Sequence, residues 1–381
     1  MIRSGRRVIV GLSGGVDSAV AAALLLEAGF DVHGAFLCMG ADASERSASR
    51  SCCAPQDAAD ARRAAEQIGV PFHVRSIEDR MRPVIERFVH DYQHGRTPNP
   101  CPLCNANVKL ASLIELADEL DAEFVATGHY ARILHSPDGP AIGRARCAAK
   151  DQSYVLFAVR QSLLRRLLLP LGDVVNKQTV RQTAHKLGLD VGDKPDSQDI
   201  CFVPPGGYAD ILAKHSSQGL SPGAVYDTLG RRLGTHEGYA RYTVGQRRGL
   251  GIAAAEPLYV VQIRPEDNSI VLGPRRLLRT LSLDAGAAVW QQPVSPSFRG
   301  EVQVRYHGKS VGARLSLSQD ARCFSVTFDT PADCAVSGQA AVVYDGDRLL
   351  GGGWINSVQR VVNQETSLPP DVRQHSEEAV S

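Results

Sequence analysis

Short apolar runs alternate with longer helix-forming segments along the first 130 residues of the chain. The apolar runs predict strands at residues 7–12, 30–37, 72–74 and 123–126. The segments rich in alanine, leucine and charged residues predict helices at residues 18–28, 55–68, 81–92 and 107–120. Strands that alternate with helices of this length are typical of a doubly wound, mostly parallel sheet, so we expect an α/β domain here.

The pattern changes near residue 205, where the run Pro-Pro-Gly-Gly interrupts it. Beyond this point helical periodicity is scarce and short β-like stretches follow one another. They are residues 259–263, 270–272, 301–305, 313–317, 323–328, 340–344 and 353–358. Gly, Pro and Asp between them favour a small β-barrel or sandwich. We therefore predict an α/β domain at 1–206, a small central domain at 207–278, a C-terminal β-barrel at 279–362, and a disordered polar tail at 363–381.

Composition narrows the class of protein. Of 381 residues, 43% are hydrophobic and 22% charged, which excludes wholesale disorder and a fibrous repeat. No apolar run approaches the ~20 residues that cross a bilayer, and strand-like sequence begins near residue 7, so we expect a cytoplasmic protein without a leader or membrane anchor. A net charge of +1 argues against coating of nucleic acid by bulk electrostatics, and we expect no DNA partner. Basic residues are nonetheless clustered, because residues 140–190 hold nine of them against three acidic ones.

A glycine-rich loop joins the first predicted strand to the first predicted helix. It reads Gly11-Leu12-Ser13-Gly14-Gly15-Val16-Asp17-Ser18. Backbone N–H groups of such a turn, at the start of a helix, form a cradle for an anion. Asp17 would repel phosphate, so we interpret it as orienting the loop or helping to hold Mg²⁺. The lysine of a Walker A loop is absent, and the alternative is a Gly-Gly turn that merely begins a helix.

A second turn, Thr127-Gly128-His129-Tyr130, follows the strand predicted at 123–126. It therefore lies at the carboxyl end of a strand, where open α/β sheets bind ligands. Together with the S-G-G-x-D-S loop it resembles the PP-loop ATP pyrophosphatases. Those enzymes cleave ATP to AMP and pyrophosphate while they adenylate a carbonyl or carboxyl oxygen.

Three cysteines stand in turn-like or polar sequence. Cys101 and Cys104 form a C-x-x-C turn just before a predicted helix, where we expect the pKa of a thiol to be lowered and the reactive thiolate favoured. Cys201 follows in the loop D-S-Q-D-I-C-F. One C-x-x-C is too little for a structural zinc site, which needs four ligands, although Cys201 could supply a third thiolate and leave one position open.

Seven motifs stand in the order in which they occur in the tRNA-specific 2-thiouridylases. They are S-G-G-V-D-S at 13–18, G-R-T-P-N-P-x-x-x-C-N at 95–105, T-G-H-Y at 127–130, K-D-Q-S-Y at 150–154, D-S-x-x-I-C-F at 196–202, Y-x-x-G-Q-R-x-G-L-G at 242–251 and G-G-G at 351–353. The chain resembles this family from about residue 7 to residue 360.

The resemblance implies an activity and the residues that carry it. In that family ATP adenylates the C2 oxygen of the wobble uridine of tRNA, and a persulfide delivers sulfur. By motif, Cys201 carries the persulfide and Cys104 is the nucleophile that attacks it and ends in a disulfide with Cys201. The implied ATP-binding residues are Gly11, Leu12, Ser13, Gly14, Gly15, Val16, Asp17, Ser18, Leu37 and Gly128. The implied tRNA contacts are Asn99, Pro100, Cys101, His129, Lys150, Asp151, Gln152, Arg305, Tyr306 and Gln339. The implied partners are tRNA and a persulfide donor protein, with Mg²⁺ accompanying ATP.

Cys101 departs from the family pattern, because many members have Asp at this position. The carboxylate is thought to act as an acid or base beside the target base, and a thiol can replace it only if its pKa is tuned. Alternatively, Cys101, Cys104 and Cys201 could ligate an iron–sulfur cluster with one open iron. Two other functions stay open: a different PP-loop adenylating enzyme, such as a glutamine-dependent amidotransferase, and an RNA-binding regulator without catalysis.

The remaining six cysteines suggest no chemistry. Cys52 and Cys53 resemble a family variant. Cys38, Cys147, Cys323 and Cys334 are expected to be small buried hydrophobic residues.

Overall fold

A computed structural model describes residues 5–39, 55–193, 200–203, 207–215 and 217–361. Cys52, Cys53, most of the polar loop before Cys201, and the predicted tail at 363–381 lie outside these residues. Among the described residues, no helix is long and apolar enough to span a membrane.

The N-terminal part alternates strands and helices as the sequence predicts. Its elements are β1 (Arg7–Gly11), α1 (Val16–Glu27), β2 (Asp31–Cys38), α2 (Pro55–Ile68), β3 (Phe72–Ser76), α3 (Glu78–Gln93), α4 (Cys101–Leu103), a π-helical segment (Cys104–Leu110), α5 (Ala111–Glu119), β4 (Phe124–Ala126), β5 (Ala131–Ser136), β6 (Gly139–Arg144), α6 (Gln161–Leu164), β7 (Leu167–Leu168), α7 (Lys177–Lys186) and α8 (Ala209–His215). In the described ranges, five of these strands form a parallel sheet in the order β3-β2-β1-β4-β7. The predicted doubly wound α/β domain is confirmed.

The apolar run of β1 explains its central place in this sheet. Val8, Ile9 and Val10 are fully buried, as expected for a parallel strand covered by helices on both faces. β1 pairs with β2 on one side and with β4 on the other, so the strand order reverses at β1. The loops after β1 and β4 therefore open at the switch point, which is the usual ligand site of such sheets.

A small mixed sheet follows. Its strands are β8 (Gly223–Asp227), β9 (Arg232–His236), β10 (Leu258–Arg264) and β11 (Ser269–Pro274), in the order β10-β11-β8-β9. β11 and β8 are parallel, and the other two pairs are antiparallel. The sequence predicts β10 and β11 but not β8 and β9, because Gly223 and Gly234 dilute their apolar pattern.

The C-terminal part is a closed barrel. Its strands are β12 (Arg279–Trp290), β13 (Ser297–Gln303), β14 (Val311–Leu317), β15 (Phe324–Asp333), β16 (Ala340–Asp345) and β17 (Arg348–Arg360). Within residues 217–361 these six strands pair antiparallel in a ring, and β17 returns to β12 to close it. The predicted C-terminal β-barrel is confirmed. The hairpin of β5 and β6 from the N-terminal part joins β17 at its edge, where Arg348 pairs with Gly143.

Candidate functional site

The glycine-rich loop is closed over the start of α1 by its own hydroxyl groups. The backbone N–H of Ser13 donates to Oγ of Ser18 at 3.1 Å, and that hydroxyl donates to the carbonyl oxygen of Gly15 at 3.0 Å. Gly14 has φ of +73°, and a Cβ there would lie 2.4 Å from the carbonyl oxygen of Asp57 on α2. A side chain at position 14 would collide with α2 and strain the backbone, so this turn requires glycine.

Asp17 is held by a cation that sequence reasoning missed. Lys177, the first residue of α7, places Nζ 2.7 and 2.6 Å from the two carboxylate oxygens of Asp17. The hydroxyl of Tyr130 donates to the same carboxylate at 2.6 Å. Two protein groups therefore engage Asp17, which supports the predicted orienting role. Lys177 belongs to none of the motifs, and its signal in the sequence is that it follows Asn176, a good N-cap residue.

The turn after β4 packs directly on the glycine-rich loop. A Cβ at Gly128 would lie 2.7 Å from the backbone nitrogen of Ser18 and 2.8 Å from the carbonyl carbon of Asp17. Leu37, near the end of β2, is half-buried at the neighbouring strand end. The residues predicted to bind ATP thus lie around the switch point of the sheet.

His129 is tied into the same turn. Its Nδ1 lies 2.8 Å from the hydroxyl of Thr127. Burial, aided by the positive charge of Lys109, lowers the pKa of His129 to about 3. The imidazole is therefore neutral at physiological pH, and its hydrogen bond caps the end of β4.

Cys101 begins α4 and Cys104 begins the π-helical segment. Burial raises the pKa of the Cys101 thiol to about 12 and also raises that of Cys104. The predicted lowering by a helix N-terminus is therefore wrong, because removal of these thiols from water outweighs it. The Sγ atom of Cys104 lies 3.6 Å from Sδ of Met81. The positive charge of Lys109 opposes the rise at both cysteines.

Cys201 lies against the same segment. Its Sγ is 3.8 Å from Nζ of Lys109, and the thiols of Cys101, Cys104 and Cys201 influence one another electrostatically. The structure therefore brings the three predicted cysteines together. In the part of the chain that the structure describes, no group of three or more His, Cys, Asp or Glu side chains is arranged to hold a metal ion. No disulfide joins the described cysteines.

The barrel holds the loop that precedes the cysteine pair. Nε2 of Gln339 donates to the carbonyl oxygen of Thr97 at 3.0 Å, and the N–H of Asn99 donates to the carbonyl oxygen of Gly338 at 3.3 Å. Pro100 then leads into α4. Two predicted tRNA contacts, Asn99 and Gln339, are therefore neighbours although they come from opposite ends of the chain.

The predicted contact segment Lys150–Gln152 is partly engaged within the protein. The carboxylate of Asp151 accepts the N–H of Ala145 at 2.8 Å. Oε1 of Gln152 accepts the N–H of Tyr130 at 2.9 Å. Asp151 and Gln152 thus stabilise the turns around the site, a role that the sequence does not distinguish from RNA contact.

An open cavity of about 630 Å³ lies where the three parts of the chain meet. Its lining includes Thr97, Arg241, Arg275, Arg305 and Gln339. Arg275 and Arg305 both contact the carboxylate of Asp333, at 2.7 and 3.2 Å. Tyr306, next to Arg305, has its ring centroid 6.1 Å from that of the buried Tyr154. The predicted pair Arg305–Tyr306 therefore lies beside this basic cavity.

The remaining described cysteines differ from one another. Cys147 is buried as predicted, and Cys38 and Cys334 are half-buried. The prediction is wrong for Cys323, which is exposed because it lies in the turn just before β15.

Three protein-family models match the chain in succession. They are described as the tRNA methyl transferase HUP domain, at residues 6–205, the tRNA methyl transferase PRC-barrel domain, at residues 209–274, and the aminomethyltransferase beta-barrel domain, at residues 281–355. The tRNA-specific 2-thiouridylase MnmA of Chloroflexus aurantiacus is 44% identical over 352 residues, which cover 91% of this chain and 98% of that protein. The chain belongs to the tRNA-specific 2-thiouridylase family.

Other 2-thiouridylases are similar to this chain to the same degree. The enzymes named MnmA from Methylorubrum extorquens and Caulobacter vibrioides are each 44% identical, over 92% and 93% of this chain and 94% and 96% of their own lengths. A solved 4-thiouridine synthetase–RNA complex with bound ATP covers 55% of this chain and 50% of that chain with 16% identity and a TM-score of 0.34, a likeness too slight to inform on function. The family resemblance of the seven motifs is confirmed, and the chain is an enzyme of the 2-thiouridylase family.

Proposed function

We propose that this enzyme is an ATP-dependent tRNA sulfurtransferase that replaces the C2 oxygen of the wobble uridine by sulfur. One juxtaposition carries the proposal. Gly128 packs on the glycine-rich loop, and His129, the next residue, lies in electrostatic range of Lys109, whose ammonium contacts Cys201. A phosphate cradle and a set of thiols thus face one region, as activation and sulfur transfer at one base require.

The first step uses the glycine-rich loop. Its backbone N–H groups bind the phosphates of ATP while the uridine O2 attacks the α-phosphorus. An O–P bond forms, the bond to pyrophosphate breaks, and the oxygen becomes a good leaving group. Asp17 keeps the loop in place through Lys177 and Tyr130. Mg²⁺ bound with ATP would neutralise charge on the phosphates, and Asp17 is the acidic residue of the loop that could help to hold it.

The second step uses two cysteines. The outer sulfur of a persulfide on Cys201 attacks C2, and AMP leaves with the oxygen. Cys104 then loses its proton to solvent and attacks Sγ of Cys201, so the bond to the transferred sulfur breaks and 2-thiouridine is released. The transferred sulfur is reduced while the two thiols are oxidised to a disulfide, which a thiol reductant resets. A persulfide donor protein reloads Cys201.

The persulfide route is favoured over an iron–sulfur cluster. The thiols do not form a metal-ligand group among the described side chains, and Cys201 contacts an ammonium, which suits an anionic sulfur. With a pKa of about 12, Cys101 is a neutral thiol at physiological pH. It can donate a proton beside the base but does not act as a general base there.

The RNA surface is proposed from position and charge. Arg305 and Gln339 line the basic cavity, Tyr306 follows Arg305, and Asn99 bonds to the residue before Gln339. A guanidinium there can contact phosphate, and an aromatic ring can stack on a splayed base. We also propose that the domain boundaries lie near residues 206 and 278. We further propose that the enzyme works in the cytoplasm, where both ATP and tRNA are present.

Substitution of the two cysteines tests the sulfur-transfer step. Cys201→Ser should abolish 2-thiouridine while adenylation of tRNA, followed as pyrophosphate release, persists. Cys104→Ser should accumulate tRNA linked to Cys201 through a disulfide, detectable by mass spectrometry under non-reducing conditions. Cys323→Ser, at an exposed barrel position, is the matched control and should behave as wild type. Retained thiolation by Cys201→Ser would contradict the proposal.

A further inference from the structure

Lys109 lies beside the sulfur chemistry, in the segment that also carries Cys104. Its Nζ is 3.8 Å from Sγ of Cys201. The adjacent residues in the chain, Val108 and Leu110, are almost fully buried at 1% and 2% exposure. The ammonium group of Lys109 therefore contacts Cys201 beside buried apolar residues. In such surroundings the attraction between opposite charges is stronger than it is in water.

The π-helical segment explains why Lys109 reaches the thiols. In an α-helix of 3.6 residues per turn, residues five apart point to different sides. A π-helix joins residue i to residue i+5, which brings such residues towards the same side. Cys104 and Lys109 are five apart within the segment Cys104–Leu110. This uncommon local geometry thus places a cysteine and a lysine on one face.

Among the described residues, titratable groups from four different elements lie near Lys109. Cys101 and Cys104 come from α4 and the π-helical segment, Cys201 from the loop opposite, and His129 from the turn after β4. The charge of Lys109 opposes the rise that burial causes in the pKa of Cys101 and Cys104, and it adds to the lowering of the pKa of His129. His129 is neutral, so it adds no second positive charge beside Lys109.

We propose that Lys109 is a catalytic residue that stabilises sulfur anions on Cys201. The first anion is the thiolate, which attacks the outer sulfur of a donor persulfide, forms a new S–S bond and releases the donor's thiolate. The second is the resulting persulfide anion, the nucleophile towards C2. Stabilisation of the persulfide anion by Lys109 rests on the proposed function. Stabilisation of the Cys201 thiolate rests only on the contact between Nζ of Lys109 and Sγ of Cys201.

The test measures the reactivity of Cys201 without tRNA or ATP. Full-length enzyme is treated with iodoacetamide over a range of pH, and alkylation of the Cys201 peptide is timed by mass spectrometry. Lys109→Met should slow alkylation at neutral pH by about tenfold or more and move the pH midpoint upward, because an opposite charge at this distance favours the thiolate by at least that factor. Lys109→Arg should retain most of the wild-type rate. Lys309→Met, at an exposed barrel lysine, should match wild type.

Each outcome bears on the role of Lys109. Unchanged alkylation in a folded Lys109→Met variant, or in Lys109→Gln if the first variant unfolds, overturns the proposal. Equal slowing in Lys109→Arg indicates packing instead of charge and overturns it as well. A wild-type enzyme that fails to thiolate tRNA would contradict the proposed function and leave the alkylation result intact.

Discussion

Replacement of Gly128 by alanine tests whether the turn after β4 positions the glycine-rich loop. The added Cβ would lie 2.7 Å from the backbone nitrogen of Ser18 and 2.8 Å from the carbonyl carbon of Asp17, whereas ordinary contact begins at 3.4 Å. The start of α1 must therefore move by about 0.7 Å. Since the contacted atoms belong to the backbone, no side-chain rotation relieves the collision.

The expected effects are a loss of stability and a larger loss of ATP use. Overpacking of this kind costs about 1–3 kcal/mol of unfolding free energy. A displacement approaching 1 Å at a reacting group lowers rates by up to about a hundredfold, so we expect kcat/KM for ATP to fall by about ten- to a hundredfold.

The assay is pyrophosphate release in the presence of tRNA, with urea unfolding measured in parallel. Gly188→Ala is the matched control, because position 188 has φ of +67° and open space around it. That variant should lose about 1 kcal/mol of stability through backbone strain and keep its kcat/KM for ATP. A wild-type kcat/KM in Gly128→Ala would refute the positioning role of this turn.

Three further predictions concern buried or partly buried groups. Lys177→Met should lower the unfolding free energy by about 1–3 kcal/mol and reduce ATP use, because the side chains of Lys177 and Asp17 are only 14% and 31% exposed. Urea unfolding measures the change in stability, and an unchanged midpoint would contradict it. At pH 8, iodoacetamide should modify Cys323 much faster than Cys101, because Cys323 is exposed and burial raises the pKa of Cys101. Peptide mass spectrometry would measure both rates, and equal rates would contradict the burial of Cys101. The raised pKa of Cys101 stabilises the fold below the unfolded thiol value near 9, and this stability is lost as pH rises towards about 12. Between pH 9 and pH 10, wild type should therefore lose about 1 kcal/mol more than Cys101→Ser, and parallel unfolding curves would disprove the shift.

Strong local patterns made the N-terminal fold predictable. The apolar run of β1 and the turn residues that follow it determine both the buried strand and the position of the loop at the carboxyl edge of the sheet. The helix α7 was not predicted, because in the described structure Val180 and Ala184 are its buried residues and the rest of its sequence is polar. Its importance comes from Lys177, whose partner Asp17 lies far away in sequence.

The chemistry of the thiols could not be predicted from their place in the sequence. A cysteine before a helix suggests a lowered pKa, but the pKa of Cys101 depends on how fully the surrounding chain removes it from water. That environment includes Tyr306 and Tyr154, which the barrel and the central turns bring to the site. Likewise, Asn99 and Gln339 become neighbours only through packing of the barrel on the N-terminal domain.

Thiolation of unmodified tRNA is the most direct test of the proposed activity. Purified enzyme, ATP, Mg²⁺ and a persulfide donor are incubated with tRNA, and digested nucleosides are quantified by mass spectrometry together with AMP and pyrophosphate. We predict one 2-thiouridine at the wobble position for each AMP and each pyrophosphate formed, with no product when ATP is omitted. Full loading of the enzyme with persulfide and binding of tRNA without any 2-thiouridine would contradict the account.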